Sequence, residues 1–238
     1  MTLGGLQKTT LVDFPGRVAC TVFTVGCNFR CPFCHNRDLV TSSKFQESKI
    51  QVISQETFFE FLKGRIKILD GVCITGGEPT LQPDLEDFCR KIKSLGLLVK
   101  LDTNGGHPEI VKKLLDQKLL DFIAMDLKGP WEDYSKISKF EQVELVKQTI
   151  LLTVKSNLEY EFRTTVVPDL HSENSLIKLA SDLVKLTGCS DHDYFLQNFR
   201  GVSCLDSSYN DRPGFSSTQL QSLRDAVAKI LPKTKTRE

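Results

Sequence analysis

The chain has 238 residues, of which 40% are hydrophobic and 26% are charged, a composition typical of a globular protein. Its formal net charge of +1 argues against a general polyanion binder, which would carry a strong basic excess. No apolar run approaches the roughly 18 residues of a membrane span, and residues 1–17 lack the long apolar core of a secretory signal. We therefore expect a reducing cytoplasm, where clustered cysteines more often bind metals or react than form disulfides.

Short β-branched runs alternate with helical patterns along the chain. Strands are predicted at residues 18–25, 71–75, 97–103, 121–127, 158–167 and 193–199. Helices are predicted at residues 55–68, 84–96, 107–118, 140–156, 173–188 and 217–231. Strands that are each followed by a helix predict an α/β fold with a parallel sheet, either open or closed into a full or partial barrel. We predict a single domain over residues 1–238, with residues 1–17 before the first strand and the helix at 217–231 as the last element.

A cluster of three cysteines follows the first predicted strand in the stretch "VGCNFRCPFCHN". Cys27, Cys31 and Cys34 have the spacing C-x3-C-x2-C, and the other five cysteines are scattered. The C-x-x-C-H portion matches a haem-attachment pattern, but no export signal accompanies it. A thioredoxin-like pair would leave Cys27 unexplained, and a structural zinc site would need a fourth ligand. The spacing alone favours an iron–sulfur cluster and leaves zinc open.

Polar motifs follow the next four predicted strands. In parallel α/β folds the carboxyl ends of the strands form the edge where active sites are built, so these motifs are expected at one rim. Carboxylates at the ends of buried strands need a paired charge or a ligand. The candidate residues are Gly76, Gly77 and Glu78; Asp102, Thr103 and Asn104; Asp126 and Lys128; and Arg163.

The cysteine spacing, with Phe33 just before the last cysteine, resembles the signature of the radical S-adenosylmethionine (radical SAM) enzymes. The resemblance implies a partial (β/α)6 barrel over nearly the whole chain and a [4Fe–4S] cluster on Cys27, Cys31 and Cys34. In that family the open fourth iron binds the methionyl group of SAM. An electron from the cluster then cleaves SAM to a 5′-deoxyadenosyl radical, so no side chain is needed as an acid or a base.

The resemblance also assigns roles to the candidate residues. Gly76, Gly77 and Glu78 resemble the GGE motif, in which the carboxylate accepts hydrogen bonds from the SAM ammonium. Asp102, Thr103, Asn104, Asp126 and Lys128 lie in stretches similar to the DTNG and DLK stretches of glycyl-radical activating enzymes. There, Asp102, Thr103 and Asp126 are expected near the methionyl end of SAM or a monovalent cation, and Lys128 near SAM or substrate. Phe33, Cys34 and His35 are expected to flank SAM, while the roles of His171 and Gln197 stay open. Apart from the resemblance, an arginine that lines a barrel interior would suit the SAM carboxylate, and a position of Arg163 at an exposed edge is the alternative.

Two stretches favour one branch of the family. "TLVDFPGR" resembles the segment that precedes the first strand in glycyl-radical activating enzymes, and "CPFCHN" resembles the branch that activates anaerobic ribonucleoside-triphosphate reductase. The resemblance implies that reductase as the partner, with flavodoxin or ferredoxin as electron donor and no role for a membrane or nucleic acid. The alternatives are a radical SAM enzyme that modifies a small molecule or RNA, such as a 7-carboxy-7-deazaguanine synthase, and a noncatalytic iron–sulfur or zinc module.

Overall fold

The computed structural model describes residues 1–48 and 50–237. The strands are Leu3–Thr10 (β1), Ala19–Thr24 (β2), Gly71–Gly76 (β3), Leu98–Thr103 (β4), Phe122–Asp126 (β5), Glu159–Val166 (β6), Tyr194–Asn198 (β7) and Thr234–Arg237 (β8). The helices are Arg37–Val40 (α1), Ser42–Ser48 (α2), Gln55–Lys63 (α3), Leu85–Ser94 (α4), Pro108–Asp116 (α5), Tyr134–Ser138 (α6), Val143–Lys155 (α7), Glu173–Thr187 (α8) and Ser217–Ala228 (α9). None of the helices among these residues is both long enough and apolar enough to cross a bilayer.

The chain divides into two compact units. The first contains Met1–Asn28, Asn36–Thr103 and His107–Ile123. The second contains Phe29–His35, Asn104–Gly106 and the chain from Ala124 onward. The division falls inside the C-x3-C-x2-C motif and inside β5.

The sheet of the first unit contains β1, β2, β3 and β4. β2 pairs in parallel with β3, from Ala19 opposite Gly71 to Thr24 opposite Gly76, and β3 pairs in parallel with β4. Because these strands are parallel, the residues that follow them lie at one edge of this sheet. The apolar residues of β2 and β3 are buried except for the half-buried Phe23, as expected for strands covered on both faces.

The second unit contains a parallel sheet of β6, β7 and β8. Phe162 lies opposite Tyr194 and Val166 opposite Asn198, while β7 pairs with β8 from Tyr194 opposite Thr234 onward. The helices that follow β6 and β7 are each opened by a capping box, on Ser172 in α8 and on Ser216 in α9. Parallel strands with intervening helices in both units confirm the predicted α/β class.

The predicted N-terminal segment is wrong in one respect. Residues 1–17 do not precede the first strand, because Leu3–Thr10 forms β1, which pairs antiparallel with β2. The helix predicted at 55–68 ends at Lys63, where Gly64 forms its C-cap. The helix predicted at 140–156 is α7 alone. A separate short helix, α6, precedes it and ends at Ser138, where Lys139 forms the C-cap with a left-handed φ of 58°. The helix predicted at 217–231 ends at Ala228, and β8 follows it.

Candidate functional site

Cys27 lies in the first unit, directly after β2. The Gly26 N–H donates to the Leu39 carbonyl at 2.7 Å, and the Cys27 N–H donates to the Val40 carbonyl at 3.0 Å. Helix α1 therefore holds the backbone of the residues that lead from β2 into the cysteine motif.

Cys31 and Cys34 lie in the second unit and share a turn, because the Cys34 N–H donates to the Cys31 carbonyl at 3.1 Å. Cys31 is 6% exposed, and the preceding Arg30 N–H donates to the Ser138 carbonyl at 2.9 Å. Burial raises the pKa of the Cys31 thiol to about 11, while the Lys128 ammonium acts in the opposite direction. A soft thiol with a cation beside it fits the ligand chemistry of an iron–sulfur cluster.

Two neighbours of Cys34 have different surroundings. Phe33 is buried, whereas the His35 ring stacks on Phe199, with a centroid distance of 5.6 Å and an interplanar angle of 13°. His35 Nε2 donates to the Arg200 carbonyl. Its predicted contact with SAM stays a prediction.

The GGE motif begins at the last residue of β3, and its two glycines allow a close approach of two backbones. Gly76 has a φ of 116°, and a Cβ there would clash with the Thr24 backbone. A Cβ on Gly77 would clash with the Gly26 backbone, and the Glu78 N–H donates to the Gly26 carbonyl at 2.7 Å. These glycines bring the loop after β3 against the residues that precede Cys27.

Glu78 is 1% exposed and its carboxylate is held by hydroxyl groups. Oε1 accepts hydrogen bonds from the Thr80 N–H at 3.1 Å, the Thr80 hydroxyl at 2.6 Å and the Thr103 hydroxyl at 2.7 Å. Two predicted residues, Glu78 and Thr103, are thus in direct contact. The hydroxyl of Thr103 orients Glu78, and this fixes the direction in which the carboxylate can meet a ligand.

Asp102 is paired with a buried lysine that the sequence analysis did not select. Lys100 is 1% exposed, its ammonium donates to Asp102 Oδ1, and it lies 3.8 Å from Cys73 Sγ. The Cys73 thiol also donates to Asp102 Oδ1 at 3.5 Å. This pair could have been predicted from the sequence, because Lys100 and Asp102 are two residues apart on one strand and therefore share one face.

Asp126 binds two predicted residues at once. Arg163 Nε donates to Asp126 Oδ1 at 2.9 Å, and Lys128 Nζ donates to Asp126 Oδ2 at 3.0 Å. Burial alone would raise the pKa of the Asp126 carboxyl. The Arg163 and Lys128 cations outweigh this effect and hold that pKa well below its usual range. Burial lowers the pKa of Lys128, but the Asp126 carboxylate outweighs it and raises that pKa above its usual value.

The charged network continues to the last strand. Arg163 lies 3.8 Å from Glu161, and Arg237 of β8 donates to both Glu161 oxygens at 2.8 and 2.7 Å. Arg237 also stacks over the Phe195 ring at 3.6 Å. Glu161 and Arg237 are 76 residues apart, so no local pattern in the sequence could have paired them.

The surroundings of three remaining candidate residues are also defined. Asn104 Oδ1 accepts from the Gly106 N–H at 2.9 Å, which stabilises the turn after β4. His171 Nδ1 accepts from the Val167 N–H at 3.0 Å, so Nε2 carries the proton that is donated to the Lys128 carbonyl at 2.9 Å. Burial lowers the pKa of His171, which fits this neutral form. Gln197 lies on β7 opposite Thr165 and Arg237.

A single metal ion would need three or more side-chain ligands around one point. Among residues 1–48 and 50–237, no group of three or more His, Cys, Asp or Glu side chains is arranged to hold one metal ion. A cubane cluster differs, because each of its thiolate ligands binds a different iron.

Comparison with solved structures supports the fold. The structure of SuiB from Streptococcus suis, bound to its precursor peptide SuiA, matches 92% of this chain with a TM-score of 0.68 and 14% identity. The chain corresponds to 48% of SuiB. At this identity the likeness concerns the fold alone, and it confirms the expected α/β fold with a parallel sheet.

Sequence comparison identifies the family. A Methanocaldococcus jannaschii protein, named provisionally as a glycyl-radical enzyme activating enzyme, is 31% identical over 96% of this chain and 92% of its own length. The pyruvate formate-lyase-activating enzyme of Listeria monocytogenes is 35% identical over 129 residues, which are 49% of each chain. The chain thus spans about half the length of that enzyme. The sequence model of the Radical SAM superfamily matches residues 21–180. The chain belongs to the radical SAM superfamily.

Proposed function

We propose that this chain is an activating enzyme that binds a [4Fe–4S] cluster and SAM and installs a radical on a glycine of a partner enzyme. The observation that carries the proposal is the C-x3-C-x2-C motif, in a radical SAM chain that aligns over almost its whole length with the M. jannaschii relative. When bound, the cluster and SAM supply a radical that removes a hydrogen atom from the glycine. Residues 1–238 act as one radical SAM core domain in this proposal.

The cysteines of the motif are the proposed cluster ligands. Metal binding requires thiolates, so the proton of the buried Cys31 thiol has to leave when the cluster is assembled. The Lys128 ammonium stabilises the resulting anion, because it already opposes the effect of burial on Cys31.

The strand-end residues are the proposed SAM site. Glu78, oriented by Thr80 and Thr103, accepts hydrogen bonds from the SAM ammonium, and Arg163, oriented by Asp126, meets a carboxylate. The other proposed contacts of SAM, or of a monovalent cation beside it, are Phe33, Cys34, Gly76, Gly77, Asp102, Asn104 and Lys128.

The proposed partner is anaerobic ribonucleoside-triphosphate reductase, in the cytoplasm, with flavodoxin or ferredoxin as electron donor. The support is the likeness of "TLVDFPGR" and "CPFCHN" to that branch of the activating enzymes. The partner binds through the loop that carries its glycine, and the chain positions that glycine and excludes water.

SAM cleavage tests the enzymatic proposal. The protein is reconstituted anaerobically with iron and sulfide, reduced, and mixed with SAM, and 5′-deoxyadenosine is measured. Wild type and Cys189→Ala should form it, since Cys189 is an exposed cysteine outside the motif, whereas Cys27→Ala, Cys31→Ala and Cys34→Ala should not. A wild-type protein with an intact cluster and no 5′-deoxyadenosine would refute the proposal.

The partner is tested separately. The reduced, SAM-loaded protein is mixed with anaerobic ribonucleoside-triphosphate reductase or with pyruvate formate-lyase, and the glycyl radical is followed by electron paramagnetic resonance. A signal on the reductase supports the proposed partner, and a signal on the lyase alone transfers the assignment to that enzyme. Cleavage of SAM with no glycyl signal on either would favour modification of a small molecule or RNA.

A further inference from the structure

The loop after β7 is hydrogen-bonded to the cysteine motif. We call residues 199–206 the clamp loop. The Leu205 N–H donates to the Cys34 carbonyl at 3.0 Å, and the Asp206 N–H donates to the Pro32 carbonyl at 2.9 Å. Two backbone hydrogen bonds therefore fix the segment that contains Cys31 and Cys34, and both lie within the second unit.

His35 makes two further contacts with the same loop. Its ring lies almost parallel to the Phe199 ring, and its Nε2 donates to the Arg200 carbonyl. A ring stack and a hydrogen bond together define both the position and the rotation of the imidazole. His35 is thus the side-chain part of a connection that the backbone of Leu205 and Asp206 completes.

The clamp loop is itself held in place. The Phe199 N–H donates to the Val166 carbonyl of β6 at 3.2 Å, and the Cys204 N–H donates to Asn210 Oδ1 at 2.8 Å. A Cβ on Gly201 would clash with the backbone of Arg212, so the loop packs closely against its own continuation. A segment tied to a sheet in this way can position what binds to it.

We propose that the clamp loop is a positioning element that orders the Cys31–Cys34 segment before the cluster is assembled, with His35 as its positioning residue. This inference rests on the proposed function only for the identity of the metal group. When the ligands of a metal site are already ordered, metal binding does not cost the conformational entropy of ordering them. An ordered segment therefore favours assembly and retention of the cluster. The proposal gives His35 a role through the loop, in place of a direct contact with SAM.

The first test uses the metal-free, reduced protein, so that it does not depend on SAM chemistry. The rate of Cys34 alkylation by iodoacetamide is measured by mass spectrometry for wild type, His35→Ala, His35→Phe and Val202→Ala. His35→Ala loses the hydrogen bond and the ring contact, so we expect alkylation roughly five- to thirtyfold faster. His35→Phe keeps a ring for Phe199, so a rise of about threefold is expected. Val202→Ala is the matched control, because this side chain of the same loop is 67% exposed.

The second test measures the cluster. After anaerobic reconstitution, His35→Ala should hold fewer irons per chain than wild type and lose its cluster absorbance in air about tenfold faster, as a loosened ligand loop predicts. The affinity for SAM per intact cluster should equal that of wild type. A loss of SAM affinity at unchanged iron content would instead show that His35 contacts SAM and would overturn the proposal.

A wild-type measurement covers the case in which the variants do not fold. Hydrogen exchange of the metal-free wild type should show the amides of Leu205 and Asp206 exchanging at least tenfold more slowly than in an unstructured peptide. Exchange at the unstructured rate would overturn the proposal, as would equal alkylation of Cys34 in His35→Ala and Val202→Ala. If the wild-type chain holds its cluster but never cleaves SAM, the proposed function fails and these expectations stand.

Discussion

Removal of the Asp126 charge should destabilise the second unit strongly, because this carboxylate neutralises two largely buried cations. Asp126 Oδ1 accepts from Arg163 and Oδ2 from Lys128, at 2.9 and 3.0 Å. Asp126→Asn keeps the shape of the side chain and removes the charge. It leaves both cations without the carboxylate that they share, and one of them, Lys128, acts on the Cys31 thiol.

The expected cost follows from the two hydrogen bonds. Hydrogen bonds to charged groups contribute about 1.5–3 kcal/mol each, which gives about 3–6 kcal/mol for the pair. Asp126 is 31% exposed, so water can partly solvate the cations, and we expect about 2–4 kcal/mol in the free energy of unfolding. The pKa of this carboxyl lies below its usual range, so the stabilisation is present at neutral pH and is lost as the pH falls below about 4 toward the folded-state pKa.

Urea unfolding of the reduced, metal-free protein at pH 7 measures this cost. A cycle with Asp126→Asn, Lys128→Met and the double variant should give a coupling energy of about 1–3 kcal/mol between the two residues. Asp116→Asn is the matched control, because Lys112–Asp116 is an aspartate–lysine pair whose side chains are 59% and 61% exposed, and its unfolding midpoint should not shift measurably. A midpoint shift of Asp126→Asn no larger than that of Asp116→Asn would refute the electrostatic account.

Three further predictions test other parts of the structure. Gly77→Ala should destabilise by about 1–3 kcal/mol in urea unfolding, because its Cβ meets the backbone of a neighbouring loop, whereas the helix C-cap variant Gly64→Ala should be neutral. Burial raises the pKa of Cys89 to about 12, so this thiol should lower stability by up to about 1.4 kcal/mol per pH unit as the pH rises from about 9 to 12. Cys89→Ala should make that slope shallower, and an unchanged slope would contradict the assignment. Arg237→Met should lower the free energy of unfolding by about 3 kcal/mol, because it leaves the buried Glu161 without its bidentate partner. Arg237→Lys should recover only part of this stability.

The strands of the fold were predictable where several apolar residues follow one another in a short segment. The run predicted at 71–75 is β3, Gly71–Gly76, and the run at 193–199 is β7, Tyr194–Asn198. β1 was missed because "LGGLQKTT" contains two glycines and its buried positions do not alternate regularly. Its strand conformation comes from pairing with β2, which a local pattern cannot show.

The sequence predicts a set of candidate residues, but it does not predict their contacts with one another. A carboxylate at a strand end needs a partner, and this argument selected Asp102 and Asp126. It did not reveal that Lys100 neutralises the first, although the two are on one strand face. For Asp126 both partners, Lys128 and Arg163, had been selected, but as ligands of SAM rather than of the carboxylate.

Variants of Lys100 test whether the Lys100–Asp102 pair stabilises the fold or whether Asp102 serves ligand binding. Lys100→Met leaves the mostly buried Asp102 without its cation and should cost about 3–5 kcal/mol in urea unfolding. The double variant Lys100→Met/Asp102→Leu replaces the pair by apolar groups and should regain most of that stability, to within about 1 kcal/mol of wild type. If the double variant is as unstable as the sum of the single ones, the two residues do not form an energetic pair. If the double variant is stable and takes up iron but no longer binds SAM, then Asp102 serves SAM binding, because its charge is not needed for the stability of the fold.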